Sequence, residues 1–220
     1  MTAAEPLVLE SFTERFAPPH TALIIIDMQM DFCVDGFAAS AAGRPLGAAQ
    51  AIVPVIAELR AGARRAGVLV CHVGFWTLPG HLSDSGPWLA QRRRSTYASD
   101  RIAIAETRGA DFVPELSPAA GEVVIHKHRY SAFKGTDLDM VLRGRGIASV
   151  AVCGVSTNVC VESTLRDAFE HGYYVSAVGD ACASWDMDLH HATLRNVEAR
   201  FGIVATATDL VRSWDDPSGR

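Results

Sequence analysis

Lysine is nearly absent from this chain, which has two (Lys127 and Lys134) against eighteen arginines. A basic bias is missing as well: the formal net charge is −5 over 220 residues, and the one basic run, QRRRS at 91–95, is short. The electrostatic footprint of a nucleic-acid binder is therefore lacking, and Arg92, Arg93 and Arg94 read as a solvated face or an oligomer contact. No apolar run approaches the ~20 residues that cross a bilayer. The first residues, MTAAEPLVLESF, have no basic region followed by a long apolar stretch, so neither a membrane partner nor a secretory leader is expected. Cysteines number five, an odd count scattered over 33, 71, 153, 160 and 182, with no CxxC and no His-rich zinc spacing. That pattern suits reduced thiols better than a disulfide framework. Cys71 in VLVCHV and Cys153 in VAVCGV lie in strand-like runs, as reduced, buried thiols of a cytoplasmic protein do. Internal repeats and low-complexity tracts are also lacking.

What is present is apolar residue, 49% of the chain, enough for a sizeable core in one domain over 1–220. It comes in separated runs: TALIIIDMQ (21–29), VLVCHV (68–73), EVVIHK (122–127), ASVAVCGV (148–155), YYVSAVGD (173–180) and a short FGIVAT (201–206). Helical periodicity marks 48–67, stopping at a glycine, and helices fit at 136–145, 159–171 and 188–200. Continuous rather than alternating apolar strands imply burial on both faces, and strands alternating with helices imply a parallel sheet. The fold expected is α/β, a three-layer, Rossmann-like, doubly wound sandwich on a six-stranded, mainly parallel sheet. Segment 75–114 is rich in Gly, Pro, Trp and polar residues and has no clear period, so it is expected to be an irregular lid or oligomer contact. The tail SWDDPSGR is expected to fray.

In such sheets ligands sit beyond the carboxyl ends of the strands. Asp27 follows the first run, Lys127 ends the third, and Cys160 follows the fourth after a five-residue turn. Each has an ordinary alternative: a helix-capping carboxylate, a solvated lysine, an inert buried thiol. Together they make a chemical kit. A helix N-terminus and an ammonium lower a thiol pKa, a carboxylate can take and return its proton, and the turn GVST offers backbone N–H groups to an oxyanion. Such a set suits acyl transfer from a small amide.

Three blocks carry a resemblance: ALIIIDMQMDF, the HK of VVIHKHRYSAFKGTDLD, and CGVSTNVCVESTLRDAFEHGY with VGDACAS. In order and spacing they resemble the isochorismatase-like cysteine hydrolases. The resemblance implies a catalytic Asp27–Lys127–Cys160 triad and a cis peptide at Val155–Ser156. It also implies an oxyanion hole made by the N–H groups of Ser156 and Cys160, with Gln29 and Phe32 lining the pocket. Further pocket candidates are the aromatics Trp76, Trp88, Tyr130, Phe133 and Trp185, each equally able to pack or to meet another subunit.

Metal-binding family members carry an Asp-x-His pair that is missing from PLGAAQAIVPV, so no metal and no cofactor are expected. His72 reads as a hydrogen-bonded core residue. The nearest likeness is to members acting on ureido and carbamoyl compounds. The expected activity is hydrolysis of a C–N bond in a biuret, ureidoacrylate or N-carbamoyl amino acid type of substrate through a thioester. A maleamate- or nicotinamide-like amide, a non-catalytic relative and a redox thiol are the alternatives. Arg92 to Arg94 or Arg200 could hold a substrate carboxylate. The family habit implies a homodimer or tetramer.

Overall fold

The computed structural model describes residues 5–94 and 101–216. Its framework is a six-stranded sheet of β1 (Thr21–Ile26), β2 (Leu69–Phe75), β3 (Val123–Lys127), β4 (Ser149–Val155), β5 (Tyr174–Ala183) and β6 (Ile203–Ala205). Every neighbouring pair is parallel, and the strand order is β3-β2-β1-β4-β5-β6. The chain thus builds outward from β1 in one direction, then returns to β1 and builds outward in the other. The reversal lies between β1 and β4, where doubly wound sheets open a crevice at their carboxyl ends.

The helices are α1 (Phe12–Arg15), α2 (Met30–Cys33), α3 (Ala38–Ala41), α4 (Gly47–Ala66), α5 (Gly86–Arg94), α6 (Leu138–Gly144), α7 (Glu162–Glu170), α8 (Met187–Arg200) and α9 (Ala207–Asp215). In α4 the buried residues Ala49, Ile52, Ile56, Leu59 and Ala63 recur every three or four positions, giving the stripe that packs with α9 against the sheet. The helix α7 packs with α8 over β4 and β5. The strands β1 and β4 are buried along their whole length. Each fully buried Leu or Ile of β1 contributes about 1.5–3 kcal/mol of transfer free energy. Among the described residues no helix is long and apolar enough to cross a membrane.

The strand β1 ends at Ile26, which puts Asp27 at its carboxyl end as read from the sequence; there Asp27 turns the chain with a left-handed φ of +53°, a conformation aspartate tolerates better than most residues. Other expectations are corrected. The strand β3 is not buried on both faces: it alternates, and Val124 is 41% exposed, because β3 is an edge strand. Segment 75–114, whose residues 95–100 lie outside the described residues, is less irregular over 75–94 and 101–114 than its composition suggests. It contains α5 and is tied down by bridges between Gln29 and Phe112 and between Thr77 and Ile104. The helix α5 buries no residue completely, so it has no apolar stripe to announce it. The tail is held as far as Asp215: Trp214 is buried and its Nε1 donates to Phe16 O at 3.1 Å. Residues 217–220 of that tail, and Ser95 of the basic run, lie outside the described residues.

Candidate active site

Three strand ends deliver the three chemical groups to one place. Asp27 leaves β1 with its N–H donating to Val73 O at 2.8 Å and its carbonyl accepting from Gln29 N at 2.8 Å, which fixes the left-handed turn. Lys127 is the last residue of β3, and Cys160 lies just beyond β4. The helix expected from 159 begins instead as one π-type turn, Thr157–Val161, with α7 starting at Glu162. A close approach of β4 to β1 sets the height of that turn. Gly154 has φ +113°, and a Cβ placed there would lie 2.1 Å from Ile26 O. The Val155–Ser156 peptide that follows is cis.

Lys127 Nζ is the hub. It donates to Asp27 Oδ2 at 2.9 Å, to Cys160 Sγ at 3.3 Å and to Arg129 O at 3.2 Å. These account for all three ammonium hydrogens. Below it lies the Phe75 ring, 4.7 Å from Nζ. Lys127 is 0% exposed, Asp27 1% and Cys160 8%, so the charges interact with little water to screen them. Burial works against the ammonium, yet Asp27 and Cys160 raise its pKa and hold it charged. Burial also raises the Asp27 carboxyl above its ordinary value, against the pull of Lys127.

The thiol behaves opposite to the sequence-based expectation. Burial first, then the neighbouring Asp27 carboxylate, push Cys160 well above an ordinary thiol, and Lys127 only partly offsets them. The resting group is the thiol, and it lies beside a carboxylate whose raised pKa suits it to receive a proton. Asp27 Oδ1 is buried and has no hydrogen-bond partner.

A cavity of about 370 Å³ opens over Cys160 and Asp27. Of the expected pocket aromatics, Phe32, Tyr130, Trp88 and Trp185 line it, as does Ser156. Others are placed elsewhere. Trp76 stacks on His126 at 3.6 Å between ring centroids, beside a different surface cleft, because its position just past β2 turns it toward the edge strand. Phe133 packs on His171 and Tyr173, at 5.0 and 5.9 Å. Gln29 is a buried strap: its Nε2 donates to Phe75 O and Ala110 O, and its Oε1 accepts from Phe75 N. His72 is likewise away from the cavity, with Nε2 2.9 Å from Glu122 Oε2. Of the arginines considered, Arg92 lines the cavity, while Arg93, Arg94 and Arg200 do not.

Lining residues missed in the sequence include Arg44, Asn158 and Ser184. Asn158 stands in the quoted STN turn, two residues from the cysteine, and that spacing was the available signal. Arg44 comes from a Gly- and Ala-rich stretch without periodicity and offered none. Among the described residues no three His, Cys, Asp or Glu side chains are grouped as metal ligands.

Fold and relatives together define a hydrolase of the parallel α/β class, with Asp27, Lys127 and Cys160 gathered beyond the carboxyl ends of its strands. The chain belongs to the isochorismatase family: residues 21–209 match the isochorismatase domain. It is 34% identical to ureidoacrylate amidohydrolase RutB of Variovorax paradoxus, over 96% of this chain and 89% of that protein. Among solved structures it is similar to a cysteine hydrolase from Pseudomonas syringae pv. phaseolicola, with TM-score 0.82 and 28% identity, covering 98% of this chain and 100% of that one. N-carbamoylsarcosine amidase from Thermoplasma acidophilum aligns with TM-score 0.69 and 26% identity, over 85% of this chain and 96% of that one.

Proposed function

We propose that this hydrolase cleaves a C–N bond of a small ureido or carbamoyl compound, using Cys160 as nucleophile and passing through a thioester. The observation that carries the reading is the single ammonium of Lys127 bridging Asp27 and Cys160 at 2.9 and 3.3 Å. The names of the relatives, an amidohydrolase of ureidoacrylate and an amidase of N-carbamoylsarcosine, support the substrate class.

The steps follow from the protonation states. Asp27 takes the thiol proton as Sγ attacks the carbonyl carbon, so a thiolate exists only while it reacts. Lys127 remains an ammonium throughout and stabilises whichever of the two partners is anionic. Backbone N–H groups of Ser156 and Cys160 receive the developing oxyanion. Asp27 returns the proton to the departing nitrogen, the C–N bond breaks, and a Cys160 thioester remains. Asp27 then deprotonates water, which attacks the thioester carbon, and the sulfur leaves with the proton. A carbamate product decays to ammonia and carbon dioxide.

The test is ammonia release from ureidoacrylate, N-carbamoyl amino acids, biuret, maleamate and nicotinamide, measured on wild type and Cys160→Ala. Turnover of the ureido or carbamoyl members, abolished in a folded Cys160→Ala, is the expected result. Activity retained by Cys160→Ala on any of these substrates overturns the scheme.

A further inference from the structure

Three consecutive residues of the turn before Cys160 are fastened to the start of α8. Ser156 Oγ donates to Asn158 Oδ1 at 2.8 Å and lies 3.2 Å from Ser184 Oγ. Ser184 Oγ in turn donates to Asn158 Oδ1 at 2.7 Å and accepts from Asp186 N at 3.1 Å. Thr157 Oγ1 lies 2.8 Å from His190 Nδ1, and both residues are buried. The helix α8 is itself anchored where it begins. Asp186 Oδ1 accepts from Asp188 N and Leu189 N at 3.0 and 3.1 Å, and Asp186 O accepts from His190 N at 3.0 Å. A capped helix end therefore places the His190 ring, one turn past the cap.

Ser156, Asn158, Ser184 and Asp186 line the cavity, but Thr157 and His190 do not. His190 is thus a buried titratable group with no part in the steps above, and it can reach the reaction only through Thr157. No rotamer brings a backbone N–H to its target, so its aim is set by whatever anchors the chain around it. Inside the turn, Val159 N and Val161 N donate to Ser156 O at 3.0 and 3.2 Å. Those two bonds hold the turn's shape but not its position over the sheet. Position comes from β4 on one side and from Ser184, Asp186 and His190 on the other. A shift of about 1 Å at a reacting centre costs about 10²-fold in rate.

On the oxyanion role proposed above for the N–H groups of Ser156 and Cys160, we propose that His190 is a positioning residue of the hydrolysis. Its contact with Thr157 holds those two N–H groups on the developing oxyanion. The Ser156–Asn158–Ser184 triangle is a second tie on the same turn, so removing His190 loosens the donors without dismantling them.

The experiment uses the full chain, checked for folding by circular dichroism, as wild type, His190→Ala, His190→Asn, Thr157→Val and Thr157→Val/His190→Ala. Ammonia release from the best of ureidoacrylate, N-carbamoyl-β-alanine, biuret, maleamate and nicotinamide gives kcat and KM. Hydrogen exchange at the Val159 and Val161 amides reports on the turn without any substrate. His190→Ala and Thr157→Val are each expected to lower kcat about 10- to 100-fold, less than loss of a whole oxyanion donor, with KM changed less than about threefold. The double variant is expected to lose no more than either single one, because both cut the same contact. Asparagine offers a donor and an acceptor in place of the ring nitrogen, so His190→Asn is expected to restore most of kcat. Exchange at Val159 and Val161 is expected to quicken in His190→Ala and to return toward wild type in His190→Asn. A lowered melting temperature with unchanged kcat would make His190 a packing residue and overturn the proposal, as would single losses that multiply in the double variant. A wild type that turns over none of the amides overturns the proposed function instead. Exchange then decides the positioning role, and wild-type rates at Val159 and Val161 in His190→Ala reject it.

Discussion

Lys127 Nζ and Asp27 Oδ2 stand 2.9 Å apart with both side chains sealed from solvent, although 100 residues separate them in the chain. A buried ion pair adds little stability over an apolar pair, whereas breaking it from one side strands a charge.

Asp27→Asn is therefore expected to do two things. It removes the proton acceptor, lowering kcat/KM by about 10²–10⁴-fold. It also leaves the ammonium without its carboxylate, costing about 3–5 kcal/mol in denaturant unfolding. Asp27→Asn/Lys127→Met is expected to lose less stability than the two single changes summed. Strict additivity would show that the pair is not coupled.

The pH dependence follows from the directions of the shifts. The proposed mechanism needs the base form of Asp27, whose pKa is raised by burial. Activity is expected to fall with decreasing pH at a higher pH than an ordinary carboxylate, near 3.9, would give. Because Cys160 is also raised, iodoacetamide is expected to label it only slowly at neutral pH. Cys160 is still expected to react before Cys33, Cys71 and Cys182, whose thiols burial pushes up to about 12 and which do not line the active-site cavity. Asp27→Asn removes the carboxylate that pushes the thiol up and leaves Lys127 beside it, so faster labelling of Cys160 is expected even as turnover falls, and slower labelling would show that the carboxylate does not hold the thiol protonated.

Glu122 gives a stability test away from the site. Burial alone would raise its pKa, but Arg64 at 2.7 Å, the Ala119 N–H and His72 bring it down to about 2. Its folded-state pKa lies below the unfolded value near 4.3, so the unfolded chain binds the proton more readily. The contribution to stability is fully present above about pH 4.3 and is lost as pH falls through about 2. Glu122→Gln is expected to flatten the pH dependence of unfolding free energy across that window. An unchanged acid slope would mean that the carboxylate is not held by these partners.

Gly154→Ala probes the seam between β1 and β4. The added Cβ meets Ile26 O at 2.1 Å, and the backbone is at φ +113°. Overpacking alone costs about 1–3 kcal/mol, and the left-handed backbone adds to it. The expected outcome is a lowered melting temperature with activity lost more than proportionally, since the seam carries the turn that holds Cys160. A variant with wild-type melting and wild-type kcat/KM would show that the seam is slack.

The sequence made the centre of the molecule legible for a physical reason. Buried parallel strands are continuous apolar runs, and their carboxyl ends are where ligands bind, so Asp27, Lys127 and Cys160 could be read from pattern alone. The edge and the lining were harder. Val124 looks as apolar in EVVIHK as Val152 does in VAVCGV, and only the number of neighbouring strands tells them apart. Trp76 and Trp88 are both aromatics of one irregular segment, yet one faces the edge strand and the other the cavity. Arg44 and Arg92 reach the same cavity from segments nearly fifty positions apart, and no local periodicity records such a meeting. The thiol pKa was misjudged because the sequence showed a cation nearby but not the exclusion of water.

The position of Lys127 has a mechanical consequence. Asp27 and Cys160 hang from β1 and β4, the two strands at the middle of the sheet, whereas the ammonium hangs from β3, which is bonded on one side only. Border strands are among the first parts of a sheet to open below the global transition. Peeling β3 away would withdraw the ammonium while the central strands stay paired, so in rising denaturant catalysis should fade before the fold melts.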